Sequence, residues 1–304
     1  MPIKIADSLP ARAVLESENI FVMTEYRAMH QDIRPLKLLI LNLMPTKIVT
    51  EVQLMRKLSN SPLQVDVDLL YTSSYASRHT SFEYLDSFYR TFDQIKDNRY
   101  DGMIITGAPV EDYEFEDVNY WPELVEIMEW TKTHVYSTLH ICWGAYAGLY
   151  HHFGIQKHNT PAKIFGVYPH NIMDSTHPLF RGFDDIFYAP HSRNTEVLES
   201  DIRNCHEINL LATSPQAGVF AAATPDNRMV FVCGHLEYDA ETLSNEYFRD
   251  IKKGLDIAVP ENYFPDDDPD KAPIVNWRSA GQLFYSNWLD HCVYQSTPYD
   301  LRDL

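Results

Sequence analysis

A cysteine placed where a β-forming run gives way to a run of small residues has the setting of a nucleophile, and HVYSTLHICWGAYAGLYHHFG contains one at Cys142. Val135 to Ile141 is rich in apolar and β-branched side chains, and Gly144, Ala145, Ala147 and Gly148 follow at once. That composition suits a strand-to-helix elbow, a tight turn that lifts its side chain above a sheet and needs small neighbours because two backbones approach closely. A thiol there sits at a helix N-terminus, whose free amides and dipole favour thiolate and lower a pKa of about 8.5. The amide of Trp143 is placed to help bind an oxyanion. A cysteine ending a core strand is more often an inert packing residue, so a partner base decides. MVFVCGHLEYD reads as a strand ending at His235, with Glu237 two residues on and on the same side of an extended backbone. Cys142, His235 and Glu237 then supply the nucleophile, general base and orienting carboxylate of covalent acyl transfer.

Other candidates are weaker. His140, His151, His152, His158, His170, His177 and His191 show neither HExxH nor Cys/His ligand spacing, so no metal is expected. Cys205, Cys233 and Cys292 read as packing residues, with Cys233 close enough to the base to line its pocket. The four cysteines lie far apart without CxxC pairs, which argues against a disulfide framework or structural zinc and fits a reducing cytoplasm. A formal charge of −18 disfavours a nucleic-acid or anionic-membrane surface, so anionic ligands must be met by locally placed cations. The first residues form no signal peptide, and no apolar run is long enough to span a bilayer.

To hold three such side chains together the chain needs a scaffold, and 304 residues with 45% apolar side chains suffice for one large α/β domain. LKLLILNLM ends at Pro45 and precedes a helical pattern of Ile48, Val52, Met55 and Leu58. The alternation continues through LQVDVDLLY, a segment carrying Phe82, Leu85, Phe88 and Phe92, then YDGMIITGAP, WPELVEIMEW and HVYSTLHIC. Strand and helix in alternation imply a parallel sheet covered on both faces, with ligands gathering beyond the strands' carboxyl ends near Pro45, Gly107 and Cys142. After residue 160 the shorter pieces IFGVYPHNI, DIFYAPHS and GVFAAATPDNRMVFVCGHLE predict an antiparallel extension. Helices are expected near 240–257 and 279–294, separated by a surface loop, VPENYFPDDDPDKAP. Residues 1–34, with a short helix around 11–18, are expected to form an arm wrapping the domain of 35–304 or a partner subunit.

With these motifs assembled, HICWGAYAG, GHLEYD, TGAPVE (106–111) and LMPTK (43–47) closely resemble the homoserine O-acyltransferases of methionine biosynthesis, and the likeness runs almost end to end. That resemblance implies a class I glutamine-amidotransferase-like, flavodoxin-like α/β fold and a ping-pong reaction in which a cysteine takes the acyl group from a CoA thioester and homoserine collects it. It makes Cys142 the nucleophile, His235 the proton acceptor and Glu237 its partner, and it puts Lys163, Ser192 and Arg249 on the amino acid. A guanidinium suits an α-carboxylate, which Arg249 would grip through two donors. For the second oxyanion donor, the loop at Gly107 and Ala108 and the turn at Thr46 and Lys47 both remain open. Where amidotransferase relatives carry proline between the His and Glu, Leu236 stands here.

The resemblance also points to the residue after GAPV as the selector of acetyl or succinyl donors. Here it is Glu111, whose charge would repel the free carboxylate of a succinyl group by several kcal/mol in a poorly hydrated pocket. Acetyl-CoA is therefore the expected co-substrate, L-homoserine the acceptor, and no further cofactor is needed; a homodimer is implied by the family. Three alternatives stand beside this expectation: homoserine O-succinyltransfer, glutamine amidotransfer or hydrolysis, and a non-catalytic cysteine sensor.

Overall fold

The computed structural model describes residues 3–6, 8–17, 23–24, 35–74, 80–297 and 301, and within them twelve strands build one sheet. The strands are β1 (Ile3–Ile5), β2 (Met23–Thr24), β3 (Leu36–Leu41), β4 (Val65–Leu70), β5 (Tyr89–Arg90), β6 (Tyr100–Ile105), β7 (Val135–Ile141), β8 (His158–Ile172), β9 (Ile186–Glu196), β10 (Asn209–Ser214), β11 (Gly218–Ala223) and β12 (Met229–Val232). The helices are α1 (Pro10–Ser17), α2 (Lys47–Leu58), α3 (Phe82–Phe88), α4 (Phe92–Ile95), α5 (Trp121–His134), α6 (Trp143–Phe153), α7 (Glu199–Asn204), α8 (Thr242–Lys252) and α9 (Arg278–Asn287), the last continued by a π-helical turn, Trp288–Tyr294. Across the sheet the order is β2-β1-β4-β3-β6-β7-β12-β11-β10-β8-β9, with β5 beside β4. Pairings from β2 to β12 are parallel, and those from β12 to β9 are antiparallel.

Alternation along the strands divides the apolar residues between two cores. Leu38, Ile40, Ile104, Leu139 and Ile141 enter one core with Leu54 and Met55 of α2 and Phe284 of α9. Leu39, Leu41, Met103, Ile105 and Phe231 enter the other, with Leu124 and Met128 of α5 and Leu149 of α6. This two-sided burial is why LKLLIL and YDGMII read as continuous apolar runs rather than as half-polar strands. Each such side chain, fully buried, contributes about 1.5–3 kcal/mol.

The segment containing Phe82 to Phe92 departs from the expected strand-and-helix alternation. It breaks at Tyr89, which is extended and pairs with Leu69, and Ser81 and Thr91 cap the two short helices on either side. MVFV, expected in the antiparallel extension, pairs with β11 on one side but runs parallel to the cysteine strand β7 on the other, Val232 opposite Ile141. The strand stops at Val232, so His235 and Glu237 lie in a turn and not on an extended backbone. The presumed surface loop 259–273 is tied in at one end: Tyr263 and Phe264 are buried, and Glu261 exchanges backbone hydrogen bonds with Phe165 and Val167 of β8. Of the N-terminal arm, residues 1–2, 7, 18–22 and 25–34 lie outside the described residues; β1 pairs with β2 and β4, and α1 buries Ala11 and Leu15 in the core shared with α2. Among the described residues, no helix is long and apolar enough to cross a membrane.

The small residues after Cys142 have a packing cause. A Cβ added at Gly144 would stand 2.6 Å from the Thr106 carbonyl oxygen, and one at Gly148 would stand 2.8 Å from both His140 and Phe231. Helix α6 therefore rests directly on the ends of β6 and β7. Alanine is the better helix former by about 1 kcal/mol, so an open site would gain stability from Gly148→Ala. The close contact predicts the opposite, a loss of about 1–3 kcal/mol from overpacking, measured as a lower urea midpoint at unchanged slope.

Candidate active site

Cys142 occupies the elbow with φ 52 and ψ −118, a region that costs a non-glycine residue about 1–3 kcal/mol. Its amide donates to Val232 O at 2.7 Å, and its carbonyl accepts from Ala145 and Tyr146 at 2.9 and 3.2 Å. Both contacts hold the strained residue between β12 and the first turn of α6. Trp143 opens that helix, so its amide has no acceptor within it and is free for a ligand. Gly107 faces the thiol, since a Cβ built there would lie 3.7 Å from Sγ. The Gly107 loop is fixed in turn by Thr106, whose hydroxyl accepts from the Leu43 amide at 2.8 Å. Lys47 stands differently: its buried ammonium donates to the Asn42 and Met44 carbonyls of its own turn, and burial lowers its pKa to about 8.

His235 is brought to the cysteine by the turn after β12, with its amide donating to Pro190 O at 2.9 Å. Nδ1 lies 2.6 Å from Glu237 Oε1 and so carries a proton towards that carboxylate, while the ring also hydrogen-bonds the Cys142 thiol. Tyr238 stacks on the same imidazole at 4.1 Å between centroids and 11° between planes. Burial alone would depress the His235 pKa, but negative charge on Cys142 and then on Glu237 raises it to about 10. Because the folded chain holds this proton more tightly than the unfolded one, the associated stability is complete below about pH 6.5 and is lost as the pH climbs towards 10. Lys57 of α2 points its charge at Glu237, and Tyr285 donates to the other carboxylate oxygen at 3.5 Å. Arg193 of β9 lies buried nearby, donating to the Thr195 and Ala217 carbonyls and to His191, which contacts His170 at 3.0 Å.

A second cluster joins β8, β9 and α8. Lys163 Nζ and Ser192 Oγ both donate to Glu246 Oε1 at 2.6 Å, and Arg249 approaches the same oxygen at 3.7 Å. Arg249 also grips Asp250 through Nε and Nη2 at 2.7 and 2.9 Å, so two of its donors are already engaged. Lys163, Ser192 and Arg249 thus converge, but around two acidic residues absent from the sequence-level expectation. Tyr238 was equally unforeseen, although the charges of Glu246, Cys142, Glu237 and Glu111 all act on it. Glu111 does not project into solvent: its carboxylate accepts from the Asn194 amide, the Asn194 side chain and the Thr195 hydroxyl at 2.9, 2.7 and 3.3 Å.

Chains of known structure share this architecture. A glutamine amidotransferase from Thermotoga maritima superimposes with a TM-score of 0.58 over 86% of this chain and 100% of its own, at 14% identity, and one from Methylobacillus flagellatus with 0.53 over 85% and 95%, at 12%. In sequence the chain is 58% identical over 304 residues to a homoserine O-acetyltransferase of Acetivibrio thermocellus, covering all of both chains. It is also 58% identical over 303 residues to one of Brevibacillus brevis, covering 100% of this chain and 99% of that one. The family model described as homoserine O-succinyltransferase matches residues 2–299. An elbow cysteine facing a His–Glu pair on an amidotransferase-like sheet is thus joined to full-length sequence similarity, and the chain belongs to the homoserine O-succinyltransferase family.

Proposed function

We propose that this chain transfers an acetyl group from acetyl-CoA to the side-chain hydroxyl of L-homoserine, giving O-acetyl-L-homoserine and CoA through a thioester on Cys142. The observation that carries the reading is the Cys142, His235 and Glu237 set, with Nδ1 of the histidine bound to the carboxylate and the ring turned to the thiol. The names of the bacterial relatives favour acetyl over the succinyl group in the family description. Glu111 argues the same way, because three hydrogen-bond donors hold its carboxylate in place where a succinyl carboxylate would need room.

In this cycle the thiolate attacks the thioester carbonyl carbon, and the oxyanion is met by the Trp143 amide and the backbone near Gly107, each such donor contributing about 10²–10³ in rate. The bond to CoA sulfur breaks, and the proton held by His235 leaves with the CoA thiol. Cys142, now a thioester, no longer carries the charge that raised the histidine's pKa, so His235 becomes neutral and able to accept the homoserine hydroxyl proton. The alkoxide takes the acetyl group and Cys142 departs as thiolate. Glu246 suits the α-ammonium of the amino acid, and Arg249, on releasing Asp250, suits its α-carboxylate.

Intact-protein mass spectrometry tests the donor and the nucleophile together. Mixed with acetyl-CoA and no acceptor, the enzyme gains about 42 Da, Cys142→Ala does not, and homoserine discharges the adduct. Succinyl-CoA labels Glu111→Gly far better than the parent chain; an unchanged donor preference in that variant would remove Glu111 from the account. Glu246→Gln separates the two half-reactions. Acetyl adduct formation persists near the parent rate while KM for homoserine rises by about tenfold or more, the scale of a lost hydrogen bond to a charged group. Equal loss in both half-reactions would instead make Glu246 a structural support.

A further inference from the structure

Spacing along the chain revealed no metal ligands, yet the fold assembles a group of them from two helices. Glu129 of α5 meets His151 and His152 near the C-terminal end of α6, and their ligand atoms all lie within 4.8 Å of one another. Glu129 Oε1 is 2.7 Å from His151 Nε2 and 4.0 Å from His152 Nδ1. The His152 side chain is 3% exposed, but neither ring nitrogen has a hydrogen-bond partner among the described residues. Buried polar groups are normally paired, and a neutral imidazole always presents one donor and one lone pair. A lone pair held beside a second imidazole and a carboxylate is the arrangement that a divalent cation satisfies.

We propose that Glu129, His151 and His152 bind a divalent cation of the zinc class. Two imidazoles with one carboxylate suit Zn²⁺, Co²⁺ or Ni²⁺, whereas Mg²⁺ and Ca²⁺ favour all-oxygen sets. Lys132 pairs with the same Glu129 oxygen at 2.7 Å but is 42% exposed, so its ammonium can swing into water as the metal enters. Glu129 is half exposed, which leaves coordination positions open to solvent. His151 lies about nine residues, roughly 13 Å, along α6 from the elbow. The cation therefore staples α5 to α6 away from the chemistry of Cys142.

Titration of the metal-free full chain with Zn²⁺, followed by calorimetry, and with Co²⁺, followed by visible absorption, tests the site. The expected result is one ion per chain, a cobalt spectrum without the near-ultraviolet thiolate band, and a melting temperature raised by Zn²⁺. Glu129→Gln and His151→Gln, both at partly exposed positions, and His152→Asn should each weaken binding by about tenfold or more, since loss of even an outer-shell partner costs a metal that much. Cys142→Ala should bind undiminished. No binding, binding unaffected by the Glu129 and His151 changes, or binding lost with Cys142 would each overturn the proposal, the last by moving the metal to the thiol.

Discussion

Gly144 and Gly148 let α6 lie on the sheet with no side chain between, and the position of that helix determines the rest of the site. Strand β7 can turn into α6 within one residue only because the helix is free to approach, and the residue at the turn is forced to a positive φ. The side chain at that residue is then lifted towards the Gly107 loop and the turn carrying His235. The strain at Cys142 persists because the neighbouring backbone hydrogen bonds to Val232, Ala145 and Tyr146 over-determine it. The position of the nucleophile in the proposed reaction follows from this contact.

Charge is arranged on the same principle of local placement. A protein of net charge −18 repels anions at long range, but cations at this site come from different elements: Lys57 from α2, Lys163 from β8, Arg193 from β9 and Arg249 from α8. Most of them are tied to carboxylates or backbone carbonyls, so each is held in place before a substrate arrives. Preorganised charge of this kind costs little reorganisation when a ligand binds or a proton moves. The coupling between Cys142 and His235 is the most consequential example, because a change of charge on the sulfur changes the proton affinity of the base.

Strands buried on both faces, the elbow and the His–Glu pair were legible in the sequence because each has a local cause: apolar runs, small residues after the cysteine, and two side chains two positions apart. Strand alternation does not account for the His–Glu pairing, since the strand ends at Val232 and a turn brings His235 to Glu237. Glu246, Asp250 and Tyr238 were not legible, because their importance comes from contacts between α8, β8, β9 and the His235 turn that no local pattern encodes. The same holds for Tyr263 and Phe264, whose Pro- and Asp-rich surroundings read as solvent-exposed although both rings are buried. Long-range pairing, such as Glu261 with β8, overrides local composition there.

The central claim is that negative charge on Cys142 holds the proton on His235 and that acylation releases it. Titration of selectively ¹⁵N-labelled histidine by NMR, in the parent chain and in Cys142→Ala, measures this directly. The account predicts an imidazolium that persists towards pH 10 in the parent and loses its proton at clearly lower pH once the sulfur is gone. An unchanged His235 titration in Cys142→Ala would mean that the two side chains are not coupled by charge, and the proposed hand-over of the proton between the two half-reactions would have no basis.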